Sequence, residues 1–346
     1  MKGRLFCSLL VTFLSIHVEA QYAGPESVEY EPAGDRYFVS NTQNSSIKEL
    51  AQNGSVSDFV ASTPNAPYGL EILGDTLYAC MGNGVRGYSL ATGDEVYFRN
   101  IGAQFPNGIT TDGTFLYVTA FQGQQIIKVD PAIDEHSVLV TDTDGQPNGI
   151  VFDPQADRLV VVFWGSNAPI KAYDRISGEE EVLIANSGLG NIDGITIDCN
   201  GNFITASWSA GGKITRWDPA FTAGTDLNVT GLGNPADIDF DDTNDVIAIP
   251  NSSLNTVTLH GVDCSTGMAP IAEMLLTVIP NPVKDIVHVQ PAFNKLEPYI
   301  ILDGRGLLIG GGTLRPNGMI DLGRLAAGTY ILQFTQAGRQ VKLIKE

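Results

Sequence analysis

A motif that returns about every forty residues governs what this chain can fold into. Pro106-Asn107-Gly108-Ile109 and Pro147-Asn148-Gly149-Ile150 are its clearest copies. Four further starts align on them: Pro25-Glu26-Ser27-Val28, Pro67-Tyr68-Gly69-Leu70, Ile192-Asp193-Gly194-Ile195 and Pro235-Ala236-Asp237-Ile238. The steps are 42, 39, 41, 45 and 43 residues. Each copy continues alike, with a short apolar strand and then a turn such as Asp112-Gly113 or Asn200-Gly201. A second β-rich run follows, such as Leu116-Tyr117-Val118, then a third that ends in Asp, as in Arg216-Trp217-Asp218-Pro219, and a more polar fourth, as in Glu181-Val182-Leu183-Ile184. β-Branched and aromatic residues alternate with turn residues at hairpin spacing, and helical periodicity is missing from the mature chain. Four strands per unit, repeated six times, predict an all-β fold built on a six-bladed β-propeller. One such unit cannot bury both faces of its sheet, whereas a closed ring of neighbours can. The sixth repeat offers three strands, through Val257-Thr258-Leu259. Its outer strand is open between residues 20–24 and the segment near Ile271.

The ends read differently from the middle. Lys2 and Arg4, an apolar run over residues 5–16 and Val18-Glu19-Ala20 have the layout of a signal peptide, so residues 1–20 are expected to be removed. That run is too short to cross a bilayer as a helix, and no membrane span is expected elsewhere. The net charge of −19 is uneven: residues 21–276 carry −23 and residues 277–346 carry +3. A body that acidic repels nucleic acid and anionic lipid and attracts cations. Cys80, Cys199 and Cys264 are odd in number and fall in different repeats, so they read as buried thiols and not as a disulfide framework.

In a propeller the first strand of each unit lines a central channel, so one position per repeat forms a ring. The residue after each start gives Glu26, Tyr68, Asn107, Asn148, Asp193 and Ala236, with Asp237 one place later. Four of the six bear side-chain oxygens suited to a hard cation: two carboxylates and two amides.

At this point the chain resembles the regucalcin and gluconolactonase group, also called the senescence marker protein family. The likeness is clearest in Pro147-Asn148-Gly149-Ile150-Val151-Phe152 and in the fifth repeat, from Asp193-Gly194-Ile195 to Arg216-Trp217-Asp218-Pro219, and it runs over residues 24–262. The resemblance implies a six-bladed propeller with one divalent cation, often Ca²⁺, in the channel mouth. It assigns the metal to Glu26, Asn148 and Asp193, substrate or metal-bound water to Asn107, and lactone hydrolysis to the site, with Asp193 as general base or water-orienting group. Ser27-Val28 stand where the family usually has Gly-Pro, and no Arg can be matched to its substrate-gripping residue; Arg99 is merely the nearest before Asn107. Propellers of the NHL type begin their repeats in the same way, because Gly there allows a close turn into the inner strand. A non-catalytic propeller binding a protein or glycan at the cell surface is therefore the alternative reading, and a calcium-stabilised scaffold a third.

The repeats stop near Gly261, and residues 263–276 read as a linker. Residues 277–346 then bring Pro280-Asn281-Pro282 with Asp285, Ile320-Asp321-Leu322, Leu325-Ala326-Ala327-Gly328-Thr329-Tyr330 and a Lys-rich end. In that order they resemble the type A sorting domain of the type IX secretion system. The resemblance implies a small Ig-like β-sandwich, handling by the type IX machinery, and passage through periplasm and outer membrane to the cell surface or the medium.

Other motifs carry less. Gly82-Asn83-Gly84-Val85-Arg86-Gly87 is a formal G-x-G-x-x-G, but a strand and not a helix is expected after it, so it is no dinucleotide site. His136, His260 and His288 lie outside the inner column. Trp164 and Trp208 close second strands of neighbouring repeats and read as core or edge packing, with a carbohydrate-like groove as the alternative.

Overall fold

The computed structural model describes residues 21–264, 277–290, 297–303, 307–314, 318–334 and 339–346. The expected signal peptide and the segment near Ile271 lie outside these residues. The chain divides into two compact units, up to Cys264 and from Ser265 onward.

The first unit is all-β. Residues 25–60, 67–100, 106–140, 146–184 and 192–226 each form a four-stranded antiparallel sheet in simple chain order, and residues 239–261 form a three-stranded one. This architecture is consistent with a propeller. The first strands are Pro25–Glu31, Pro67–Leu73, Pro106–Thr111, Gln146–Asp153, Ile192–Ile197 and Asp239–Asp241. Each packs against the first strand of the next sheet, and the last returns to the first. The apolar cores lie between neighbouring sheets. Phe38, Leu70 and Leu77 fill the space between the first and second, Cys80 and Ile109 the next, and Tyr37 and Ala248 meet across the first and sixth.

The glycine of the repeated start has a physical reason that the sequence pattern hides. A Cβ on Gly149 would lie 2.6 Å from the carbonyl oxygen of Asp193, and one on Gly194 2.6 Å from that of Ala236. Gly69 and Gly108 face the carbonyls of Asn107 and Asn148 in the same way. Glycine is thus required by close approach of the next inner strand, not by a turn. The two starts without glycine meet at the seam. Ser27 and Asp237 form a parallel bridge, Asp237 N donates to Glu26 O at 2.8 Å, and the Ser27 hydroxyl donates to Asp237 Oδ2 at 2.8 Å. Here the ring closes. Residues 22–24 add no outer strand to the sixth sheet: Ala23 N donates to Asn41 Oδ1 in the first sheet, and Gly24 O accepts from Thr42 N.

One expectation fails. Cys199 and Cys264 form a disulfide, with Cα atoms 5.9 Å apart across a separation of 65 residues, and only Cys80 remains a buried thiol. The repeats place the turn after the fifth sheet's first strand beside the chain leaving the sixth, and chain distance conceals that proximity.

The second unit holds a three-stranded sheet (Thr277–Ile279, Ile286–Gln290, Met319–Asp321) and a four-stranded sheet (Glu297–Asp303, Leu308–Leu314, Gly328–Phe334, Arg339–Lys345). Val287 and Ile320 from the first share one apolar core with Leu332, Phe334 and Leu343 from the second. Among the described residues no helix is long and apolar enough to cross a membrane.

Candidate functional site

Glu26, Asn107, Asn148 and Asp193 all line one cavity of about 430 Å³ at the strand-start end of the first unit. Tyr68 of the same column is not among its lining residues; its ring packs on Phe105, which is, at 4.7 Å between centroids. Asn148 and Asp193 are each 2% exposed, so they form a floor and not a solvated rim.

The floor is held from behind. Asn148 Nδ2 donates to Asp193 Oδ1 at 3.0 Å. The buried Thr119 hydroxyl donates to the Asn148 carbonyl at 2.6 Å and accepts from Gly108 N at 2.9 Å. Thr119 therefore fixes the backbone from which Asn148 projects. No sequence motif marks it, because it sits mid-strand in a run of β-forming residues.

Electrostatics set the chemistry. Burial pushes Glu26 up to about 7. Burial, followed by the charges of Glu26 and Asp237, holds Asp193 well above the usual carboxylate range, against the opposing influence of Trp208 and Asn148. Asp237 is pushed up to about 8, chiefly by burial. The Trp208 indole Nε1 lies close enough to Asp193 to favour its charged form, yet it makes no well-formed hydrogen bond and is buried. Acids sharing a desolvated space in this way favour a counter-cation, which relieves their repulsion.

Among the described residues, the one group of three His, Cys, Asp or Glu ligand atoms within 4.8 Å of one another is Cys199, Asp245 and Cys264, whose sulfurs are already bonded to each other. The cavity's carboxylates are not drawn together as a trio. Glu26 and Asp193 with the Asn148 amide form a hard, oxygen-bearing set of the kind Ca²⁺ takes, so the residues fit, with the amide as a necessary member.

Arg99 lies on an outer strand and pairs with Asp134 at 3.1 Å; it is not a cavity residue. The glycines at 82–87 lead into the strand Gly84–Ser89, as expected. Trp164 and Trp208, read chiefly as packing residues, instead line the cavity together with Phe105 and Phe121.

Residues 25–235 match the SMP-30/Gluconolactonase/LRE-like region. The chain belongs to this family. Residues 277–346 match the secretion system C-terminal sorting domain. That tail marks the chain for the type IX secretion machinery and for export to the cell surface or extracellular space. No curated protein matches. Among solved structures, regucalcin from Agrobacterium tumefaciens, a calcium-binding protein, is 17% identical with a TM-score of 0.56, covering 66% of this chain and 82% of its own. A virginiamycin B lyase from Staphylococcus aureus is 14% identical with a TM-score of 0.52, covering 72% and 87%. A chain of the nidogen–laminin complex is 18% identical with a TM-score of 0.52, covering 65% and 92%. At these identities the three share a fold with this family member and nothing more is carried over.

Proposed function

We propose that the mature chain is an exported six-bladed propeller, residues 21–262, that holds a divalent cation, Ca²⁺, at Glu26, Asn148 and Asp193 and hydrolyses a lactone or related ester. In this reading residues 1–20 are the signal peptide, 263–276 a linker, and 277–346 an Ig-like sorting domain. The observation that carries the site is the convergence of Glu26, Asn107, Asn148 and Asp193, from four different sheets, on one cavity.

When bound, the cation would polarise the ester carbonyl and lower the pKa of water. The chain's own residues do the rest. Asp193, its carboxylate steadied by Asn148 Nδ2, accepts the proton of the attacking water and returns it to the ring oxygen as the acyl C–O bond breaks, leaving a hydroxy acid. Burial and the neighbouring acids raise its pKa, which strengthens it as a base once ionised. Asn107, on the third sheet, supplies an amide to orient the substrate beside the floor.

The test combines metal and turnover. Purified mature protein should melt at a higher temperature with Ca²⁺ than with chelator, because a ligand that binds only the folded state stabilises it. It should also acidify a weakly buffered panel of lactones. Asp193→Ala should lose both effects. Identical melting with Ca²⁺ and chelator would sink the metal site. Metal binding without turnover of any lactone would leave a binding propeller in place of an enzyme.

A further inference from the structure

The cavity wall has two chemically unlike halves, and strand register explains why. In each sheet the start of the first strand pairs with the end of the second: Pro25 with Asn41, Pro67 with Met81, Pro106 with Ala120, Pro147 with Phe163, Ile192 with Ser207, Pro235 with Asn251. The next residue along the second strand therefore occupies the same place in every sheet. Those residues are Thr42, Gly82, Phe121, Trp164, Trp208 and Ser252. Three consecutive sheets thus put an aromatic ring where the other three put a hydroxyl or nothing.

The aromatic half is continuous. Phe105 meets Phe121 at 5.4 Å, Phe121 meets Trp164 at 6.1 Å, and Trp164 meets Trp208 at 4.8 Å, all edge to face. These four rings line one side of the cavity, and Thr42, Gln43, Asn234, Ser252 and Ser253 line the other. No Lys, Arg or His is among the lining residues, and the charged floor groups are acids.

Phe105 adds a second, independent observation. The residue before the repeated start has φ near +50 to +60° in four sheets: Gly24, Phe105, Asn191 and Asn234. Its carbonyl accepts a backbone N–H from the second strand's exit in each, from Thr42, Phe121, Trp208 and Ser252. Glycine and asparagine take that conformation readily, whereas a bulky aromatic takes it only at a cost, one that Phe221 also bears at a turn with φ of 56°. A strained backbone kept at the edge of a cavity points to what its side chain does there.

Resting on the hydrolase reading for the identity of the floor, we infer that the ligand of this cavity is uncharged and two-faced: an aryl-bearing lactone or ester whose ring lies on Phe105, Phe121, Trp164 and Trp208. Its polar edge faces the hydroxyl and amide half. A polyhydroxylated sugar lactone would set hydroxyls against an aromatic half whose only polar groups are the indole N–H of Trp164 and of Trp208, leaving most of those hydroxyls desolvated and unpaired. An anionic ligand would find no Lys, Arg or His on the lining, and the floor cation already faces two carboxylates.

The test uses two ligands that cannot be hydrolysed, titrated calorimetrically into the full mature chain, with Ca²⁺ and again with chelator. 2-Tetralone is the carbocyclic analogue of an aryl δ-lactone, and 1,5-anhydro-D-glucitol mimics the sugar ring. The inference expects 2-tetralone to bind at least about tenfold more tightly, a difference of about 1.4 kcal/mol. Phe105→Asn, which installs the residue of the fifth and sixth sheets, should weaken 2-tetralone by about tenfold and melt no lower than the parent. Phe121→Ser, copying the sixth sheet, should weaken it likewise and guards against a misfolded first variant. Equal or tighter binding of the sugar mimic, or full affinity in both variants, overturns the inference. Tetralone binding without turnover of any lactone sinks the hydrolase reading alone. Turnover confined to sugar lactones sinks this inference and leaves the hydrolase standing.

Discussion

Glu26 makes the most quantitative demand on the protein. Burial holds its carboxyl at about 7, against 4.5 in an exposed chain. The folded state therefore binds that proton more tightly than the unfolded state does. Stability from this group is complete below about pH 4.5 and is lost as the pH rises through 7. A gap of about 2.5 in pKa is worth about 3.4 kcal/mol at most. Between pH 5 and pH 8 the part lost is about 2.5 kcal/mol, nearer 2 once water in the cavity screens the charge. Glu26→Gln removes the ionisation while keeping the shape. In chelator the variant's advantage over the parent should grow by about that amount between pH 5 and pH 8, or roughly 4–8 °C in melting temperature for a body of this size. At pH 5 the gap should be under about 1 kcal/mol. Added Ca²⁺ should restore the parent and leave the variant unmoved. Scanning calorimetry at pH 5, 6, 7 and 8, with and without Ca²⁺, reads all of this. Parallel melting curves for parent and variant across that range would refute the assignment of Glu26 to a desolvated acidic site.

Four other outcomes follow from the same contacts. Thr119→Val deprives the Asn148 carbonyl and Gly108 N of their partner and should cost about 1–3 kcal/mol in denaturant unfolding, with weaker Ca²⁺ binding in calorimetry. Gly149→Ala forces a methyl group against the Asp193 carbonyl and should cost about 1–3 kcal/mol in the same assay, again with loss of metal affinity. Cys264→Ser opens a 65-residue loop and should lower stability by about 4 kcal/mol on the loop-entropy scale. Reductant should reproduce that loss in the parent and have no effect on the variant.

The repeated start was legible because glycine, proline and a β-branched residue at fixed offsets punctuate strands, and the sheets fall where it places them. The floor of the cavity was legible for the same reason, since Glu26, Asn107, Asn148 and Asp193 share one offset from that start. The aromatic wall was not. Phe121, Trp164 and Trp208 each follow the residue that pairs with the repeated start, and turns of unequal length separate them from that start in the chain. Their equivalence emerges only from strand register. Phe105 was hidden further, because its meaning lies in a backbone angle. The disulfide was hidden because cysteines in different repeats look distant until the ring brings the fifth and sixth sheets together.

That disulfide also decides where a pull is felt. Cys264 is the last residue of the first unit, three residues past the strand Thr256–Gly261, which forms an edge of the sixth sheet among the described residues. Without the sulfur link, tension on the tail would strip that strand away one hydrogen bond at a time, as a zipper opens from its end. With it, the load passes through Cys199 into the fifth sheet, and the sixth stays seated. Tension reaching Cys264 from the tail thereby bypasses the edge strand of the sixth sheet, and the end of the first unit is anchored and not loose.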